Sequence, residues 1–369
     1  MDTPCIPEDH QLRKEAIGNI NKIFEESKAT LVCDRDLMSI DATELTIEVR
    51  ESILVTVMVC DWNLRAWTFL EAFRGRKNIY VLCKHAKVVS LKETVEIVYR
   101  KGCIDIALLL LTVPHLLPAW GDRKMRTFCN SLVPGFLTIE GGGSHLTHRE
   151  ASRPGDDIVI WSLLIDDNAH SDAKAFWRAQ KGKVLATSFL LSSVPRLKTP
   201  GLRWAPSSPA AQLLDAESSG SAYRLLALDE DDSEVGRIGA DGIKATWLMY
   251  EVFGGLRGSE TICSRMSWSI EQPQDSRCRR NLESVRASYM RNYIFGALLR
   301  PMSVSKGDVS VLPRGDPSRA FIGVCATNDI FRRLWSRDDQ ISWTWLGVYE
   351  WDMSEPLPKF TSTKKVLLV

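Results

Sequence analysis

Apolar positions recur at helical intervals in the N-terminal segment of the chain. A helix is predicted over residues 8–27, and its apolar side chains are Leu12, Ala16, Ile20, Ile23 and Phe24. Glu8 and Asp9 stand at its start, where negative charge complements the helix dipole. The apolar run 29–33, which ends at Asp34, is typical of a short buried strand.

Helical and strand-like patterns continue to alternate up to about residue 118. Further helices are predicted over about 42–60, 61–73, 91–101 and 103–117. Two short strands are predicted at 78–83 and 86–89, on either side of a turn at Lys84 and His85. This order of elements favours an α/β layer with a short sheet.

The second half of the chain has a less regular pattern. Residues 119–155 show no sustained period and contain Gly141, Gly142 and Gly143, which is typical of a linker or an insertion. Helices are predicted from residue 156 onward and over 171–181 and 281–299; strands are predicted over 222–228, 243–252 and in the tail from Ala320. The sequence therefore predicts an α/β domain with closing helices at 1–118, a linker at 119–155 and an α+β accessory region at 156–369.

The charge balance narrows the classes of partner. The chain of 369 residues has 47 Lys and Arg against 46 Asp and Glu, a formal net charge of +1. This balance argues against capture of nucleic acid or anionic membrane and favours protein or small-molecule partners. The most apolar run, 104–118, is shorter than the roughly 20 residues of a spanning helix, so no membrane span is expected. The oligomeric state stays open.

The cysteines and histidines indicate no metal centre. Nine cysteines are spread along the chain without a C-x-x-C pair, which predicts a reduced, cytoplasmic protein with buried thiols. The N-terminus has neither the basic nor the apolar part of a secretory signal. His145 and His148 have no third ligand nearby, so a surface pair is a better interpretation than a zinc site.

Three places in the chain carry a family resemblance, and the third consists of two segments. Residues 2–7 read Asp-Thr-Pro-Cys-Ile-Pro, and residues 62–71 read Trp-Asn-Leu-Arg-Ala-Trp-Thr-Phe-Leu-Glu. The first is similar to the W-x-D-x-x-C-I motif of fungal heterokaryon incompatibility (HET) domain proteins, and the second resembles their W-x-x-R-x-W-T-x-Q-E signature, with Leu70 where Gln is usual. The segments within 152–164 and 190–207 are similar to the C-terminal regions of many of these proteins.

The resemblance implies a TIR-like, flavodoxin-like domain over about residues 1–85 and a role in fungal nonself recognition and programmed cell death. Its family-motif residues here are Asp2, Cys5, Trp62, Arg65, Trp67 and Thr68. The family's Tyr-rich first motif is absent, and so is the Trp expected just before Met1. We therefore expect an N-terminally truncated domain that is inactive if the first motif supplies part of a nucleotide pocket.

Glu71 is the catalytic candidate that the resemblance suggests. TIR domains that cleave NAD often show W-C-x-x-E on a helix, and residues 67–71 have the same spacing. Cleavage of a glycosidic bond through an oxocarbenium-like state needs a carboxylate placed against the ribose. NAD would then be a substrate, and no cofactor is implied. The alternative is that Glu71 is a solvated or Arg-paired helix residue.

The other motif residues have structural and functional interpretations. Arg65 lies between Trp62 and Trp67 and would stack on an indole while pairing with a carboxylate, holding the helix to the sheet. Asp2 and Cys5 would follow a strand, where α/β proteins bind ligands. Farther along, a predicted helix carries arginines interleaved with tyrosines at Arg277, Arg279, Arg280, Arg286, Tyr289, Arg291 and Tyr293; it is interpreted as a solvated face rather than a nucleic-acid surface.

Three functions remain open from the sequence. The first is a regulator or effector of nonself recognition that acts through protein partners. The second is an NAD-hydrolysing TIR-like enzyme that uses Glu71. The third is a non-catalytic interaction scaffold.

Overall fold

The computed structural model describes residues 9–75, 78–109, 116, 136–213, 234–255, 276–302, 318–328, 342–360 and 362–369. The chain forms two compact units. Unit 1 contains the chain up to Leu137 together with His148–Ser171, and unit 2 contains Thr138–Thr147 and Asp172–Val369. In the described part of the chain, no helix combines the length and the apolar character needed to cross a bilayer.

The described helices, in chain order, are α1 (His10–Gly18), α2 (Ile20–Glu26), α3 (Ile47–Val59), α4 (Asp61–Leu64), α5 (Ala66–Gly75), α6 (Leu91–Lys101), α7 (Ile104–Leu109), α8 (Ile139–Leu146), α9 (Asp156–Ile165), α10 (Ala173–Ala179) and α11 (Arg279–Ser288). The described strands are β1 (Thr30–Val32), β2 (Ile79–Leu82), β3 (Val88–Ser90), β4 (Val184–Ala186), β5 (Val235–Ile238), β6 (Ile243–Phe253), β7 (Phe295–Pro301), β8 (Arg319–Thr327), β9 (Ser342–Asp352) and β10 (Ser362–Leu368).

Unit 1 is built on a short mixed sheet in the order β1-β2-β3. β1 and β2 are parallel, with Val32 opposite Val81. β3 is antiparallel to β2, with Val89 opposite Val81. These valines are buried in one core with apolar side chains of α3 and α6, including Leu54 and Val95. The general α/β class predicted from the alternating pattern is confirmed.

Two predicted helices of unit 1 are each divided. The helix predicted over 8–27 consists of α1 and α2, which meet at Asn19, whose side-chain amide donates to the carbonyl of Glu15 at 2.9 Å. The helix predicted over 61–73 consists of α4 and α5, which are separated by Arg65 in an extended conformation. The periodicity of apolar positions passes through both breaks, so it does not reveal them.

Unit 2 contains a closed set of strand pairings. β6 pairs with β7, β7 with β8 and β8 with β9, all antiparallel, while β9 and β10 are parallel and β10 returns to β6 antiparallel. We call these five strands the closed sheet. β5 pairs with residues 243–245 of β6, which do not pair with β7, and β4 pairs with β5.

The closed sheet has distinct inner and outer faces. On β10, Val366 and Leu368 are buried, whereas Thr363 and Lys365, whose side chains point to the opposite face of the strand, are exposed, which identifies the faces. The outer face of β6 to β8 is covered by α11, in a cluster that includes Tyr250, Leu298, Ile322 and Val285. Four tryptophans on strands of the closed sheet are buried: Trp247, Trp343, Trp345 and Trp351.

Several predictions for the second half differ from the structure. The helix predicted over 281–299 is α11 followed by β7, a strand whose residues are all buried between β6 and β8. The predicted linker 119–155 contains α8, whose first turn is capped by Thr138 through the amide of Gly141 at 3.1 Å. α9, predicted at the start of the accessory region, belongs to unit 1 because it packs against α5. The predicted strand 222–228 lies outside the described residues.

Candidate functional site at the tryptophan motif

Thr68 lies at the junction of α4 and α5. Its hydroxyl is within hydrogen-bond distance of the Trp62 carbonyl and lies 2.8 Å from the carbonyl of Arg65. Carbonyls at the end of a helix have no partner within it, so a buried hydroxyl there satisfies a group that would otherwise be unpaired. The Thr of the motif therefore stabilises the break between the two helices.

Arg65 contributes to the junction through its backbone. The amide of Ala66 donates to the Glu150 carbonyl at 2.9 Å, and the amide of Glu150 donates to the Leu64 carbonyl at 2.9 Å. This pair forms an isolated parallel bridge between Arg65 and Glu150. The Arg65 side chain is exposed. The break in the helix thus allows the backbone to pair with a distant segment of unit 1.

Trp67 attaches α9 to α5. Its indole Nε1 donates to Asp156 Oδ2 at 2.7 Å. Asp156 is the first residue of α9, which follows Gly155 in a left-handed conformation with φ 89°. A carboxylate at a helix N-terminus interacts favourably with the helix dipole, so Asp156 is held by both the indole and its own helix.

Trp62 is fixed to the carboxyl end of β1. Its amide donates to Asp34 Oδ2 at 3.1 Å, and Asp34 Oδ1 accepts from the Asp36 amide at 2.9 Å. The sequence places Asp34 directly after a buried strand but does not indicate that it binds the motif. The neighbouring Cys60 thiol has its pKa raised to about 11, first by burial and then, among other causes, by the charge of Asp34.

Arg149 is a second contact of the motif that the sequence does not predict. Its Nη1 donates to the Asn63 carbonyl, and its guanidinium lies 4.7 Å from the centroid of the Phe69 ring. Burial lowers the pKa of Arg149 to about 10. Through Arg149 and Glu150, one short segment of unit 1 therefore contacts both α4 and α5.

Glu71 lies on α5 one turn beyond Trp67 and is half-buried. The contacts that join Trp62, Arg65 and Thr68, and the contact that joins Trp67 to Asp156, do not involve Glu71. Asp2 and Cys5 lie outside the described residues.

The carboxyl end of β2 has an unusual backbone. His85 and Ala86 both have φ 57°, although neither is glycine. The turn is held at its ends by the Lys84 amide, which donates to Ile40 at 2.9 Å, and by the Cys83 amide, which donates to Lys87 at 2.7 Å. Nearby, the pKa of Asp41 is lowered, first by a hydrogen bond from the Thr43 hydroxyl and more weakly by His85.

The remaining candidate groups do not form a centre in the described part of the chain. No set of three His, Cys, Asp or Glu side chains there is arranged to hold a metal ion. On α11, Arg279 pairs with Glu283 at 2.7 Å and Arg280 with Glu355 at 2.8 Å, as expected for a solvated helix face.

Comparison with protein-family models finds no match for the chain. Comparisons with curated proteins and with solved structures also find no significant match.

Proposed function

We propose that this protein is a HET-type regulator or effector of fungal nonself recognition and programmed cell death, and that it acts through protein contacts rather than through catalysis. The observation that carries the proposal is the hydrogen bond of 2.7 Å between Trp67 and Asp156. It gives the second Trp of the W-x-x-R-x-W-T signature a structural task, which is to hold α9 on unit 1.

The other motif residues support the same interpretation. Thr68 binds the carbonyls at the α4–α5 junction, and Trp62 is buried with its amide on Asp34. Glycosidic cleavage of NAD needs a carboxylate placed against the bound ribose. Because the Thr68 hydroxyl and the Trp67 indole bind groups of their own chain, the signature favours a fold-forming role, with Glu71 as a helix residue.

Two further features support the family and its compartment. β1 and β2 are parallel neighbours joined by helices, as a TIR-like, flavodoxin-like layout requires, although the antiparallel β3 departs from that layout. Among the described cysteines, Cys33, Cys60, Cys83, Cys103 and Cys325 are free thiols. Free thiols suit a reducing compartment, and we place the function in the cytoplasm.

Expression in a fungal host, with growth arrest as the readout, tests the proposal. We expect the wild-type chain to change growth and Glu71→Gln to behave like wild type. Trp67→Phe, which keeps an aromatic ring but removes the donor to Asp156, should weaken the effect together with the stability of the protein. Equal growth with and without the chain would contradict the proposal.

Incubation of the purified protein with NAD separates this function from the enzymatic alternative. We expect nicotinamide release no greater than that of a Glu71→Ala variant. Release by the wild-type chain that is lost in both Glu71→Ala and Glu71→Gln would overturn the non-catalytic proposal and assign Glu71 as the catalytic carboxylate.

A further inference from the structure

Two tryptophans on the inner face of the closed sheet have indole N–H groups without acceptors among the described residues. Trp247 on β6 and Trp345 on β9 are 0% and 3% exposed, and their ring centroids are 6.2 Å apart. Neither Nε1 has a hydrogen-bond partner in the described part of the chain. A buried donor left without an acceptor loses its hydration without compensation, so two such donors in one place require an explanation.

Three other buried indoles of unit 2 are satisfied by backbone carbonyls. Trp177 donates to Pro206 at 2.8 Å, Trp204 to Gly201 at 2.9 Å and Trp351 to Glu355 at 3.1 Å. Unit 2 therefore provides acceptors for these three indoles. Trp247 and Trp345 differ from them because neither has an acceptor among the described residues.

A partly buried guanidinium lies beside this pair. The Arg196 Cζ is 6.0 Å from the centroid of the Trp345 ring, at the outer limit of a cation–π contact. Its guanidinium donates to the carbonyl of Leu190 at 2.7 Å and to the carbonyl of Ser192 at 2.9 Å, and Nη1 lies 3.0 Å from the Ser192 hydroxyl. Burial lowers the pKa of Arg196 to about 10, so the group is still cationic at neutral pH.

Arg196 has no carboxylate within salt-bridge distance among the described residues. The ammonium group of Lys364, in contrast, has a carboxylate partner. Lys364, opposite Trp247 in the strand register, is paired with Glu251 at 3.3 Å. The charge of Lys364 is therefore already compensated by Glu251, whereas no described carboxylate compensates the charge of Arg196. Buried charges are normally paired.

We infer that Trp247, Trp345 and Arg196 form a binding site for a small oxyanion, a carboxylate or a phosphate group. Its oxygens would accept from the two indole N–H groups, and its charge would balance Arg196. A water molecule would satisfy the indoles but would leave the guanidinium without a counter-ion. The site belongs to unit 2 and does not depend on the function proposed above.

Thermal unfolding of the full chain tests the site. Sodium phosphate and sodium acetate are titrated separately, with sodium chloride holding the ionic strength constant. A ligand that binds only the folded state raises the unfolding temperature with a saturable concentration dependence. We expect such a rise with at least one of the two anions, and the more effective anion identifies the group that the site prefers.

Matched variants locate the binding. Trp247→Phe and Trp345→Phe keep an aromatic ring but remove one donor each, and each should raise the half-saturating concentration about tenfold, as expected for loss of one charge-assisted hydrogen bond. Trp351→Phe is the control, because it removes an N–H that already has an acceptor in Glu355. It should lower the unfolding temperature and leave the half-saturating concentration unchanged.

Without added anion, the two inner variants should lose less stability than Trp351→Phe, because the N–H groups that they remove have no partner to lose. Arg196→Gln should abolish the response, and if that variant does not fold, the two indole variants decide the outcome. The site is refuted if neither anion gives a saturable rise, or if Trp247→Phe and Trp345→Phe respond to the anion as wild type does.

Discussion

The contact between Trp67 and Asp156 makes a sharp prediction about stability. Replacing Trp67 by Phe removes the N–H that donates to the Asp156 carboxylate at 2.7 Å and keeps an aromatic ring in the same place. A hydrogen bond to a charged group contributes about 1.5–3 kcal/mol to the free energy of unfolding. Trp67 is half-buried, so a value of about 2 kcal/mol, near the lower end of this range, is expected.

The size of this effect is measurable by heat or urea. A loss of 1 kcal/mol lowers the unfolding temperature by about 2–4 °C in a domain of about 150–250 residues, so about 4–8 °C is expected here. The truncated ring also loses packing, and Asp156→Ala also removes a charge from the first turn of α9. A double-mutant cycle of Trp67→Phe and Asp156→Ala cancels both effects and isolates the coupling between the two side chains.

We expect a coupling energy of about 1–2 kcal/mol in favour of the wild-type pair, from urea unfolding followed by far-UV circular dichroism. Glu44→Gln, at an exposed position of unit 1, is the control, and it should change the free energy of unfolding by less than about 0.5 kcal/mol. Additive single-variant effects would refute the reasoning, because the motif tryptophan would then not hold α9 through Asp156.

Three further predictions concern unit 1. Thr68→Val should lower the free energy of unfolding by about 1–3 kcal/mol, because the helix-junction carbonyls lose their donor; Thr68→Ser keeps the hydroxyl and should retain most of the stability in the same urea titration. His85→Gly should be neutral or stabilising by up to about 1 kcal/mol, because φ 57° favours glycine; clear destabilisation would contradict the backbone assignment. Cys60, with a thiol pKa of about 11, should be alkylated far more slowly at pH 8 than the exposed Cys33, as mapped by mass spectrometry. Folding raises the pKa of the Cys60 thiol, so the protonated thiol stabilises the folded state below its unfolded pKa of about 8.5. This stabilisation is lost as the pH rises to about 11, the pKa of the thiol in the folded state.

Much of the secondary structure of unit 1 follows from short-range patterns. The strands predicted at 29–33, 78–83 and 86–89 agree with β1, β2 and β3, and the helix predicted near 91–101 has the bounds of α6. These elements are short apolar runs between turn residues, or amphipathic segments with Ser90 and Gly102 as caps. In such segments the local pattern and the tertiary environment favour the same conformation.

The pattern is insufficient where the same apolar run suits two conformations. Residues 295–299 form part of β7 rather than the end of a helix, because β6 and β8 supply hydrogen-bond partners on both sides and bury every residue. Likewise, the three glycines of α8 favour a loop by their own propensity, but the helix has a Thr138 cap at its start. Tertiary burial and capping outweigh the local preference in both places.

The sequence by itself determined the α/β character of the first unit, the positions of its strands and the motif on which a family interpretation rests. Only the tertiary structure decided what the motif residues contact, because Trp67 and Asp156 are separated by 89 positions, and Trp62 and Asp34 by 28. It also decided that Trp247 and Trp345, on strands of one closed sheet, lie beside Arg196. Periodicity records which side of an element is buried, whereas the partners of a buried polar group depend on how distant segments are brought together.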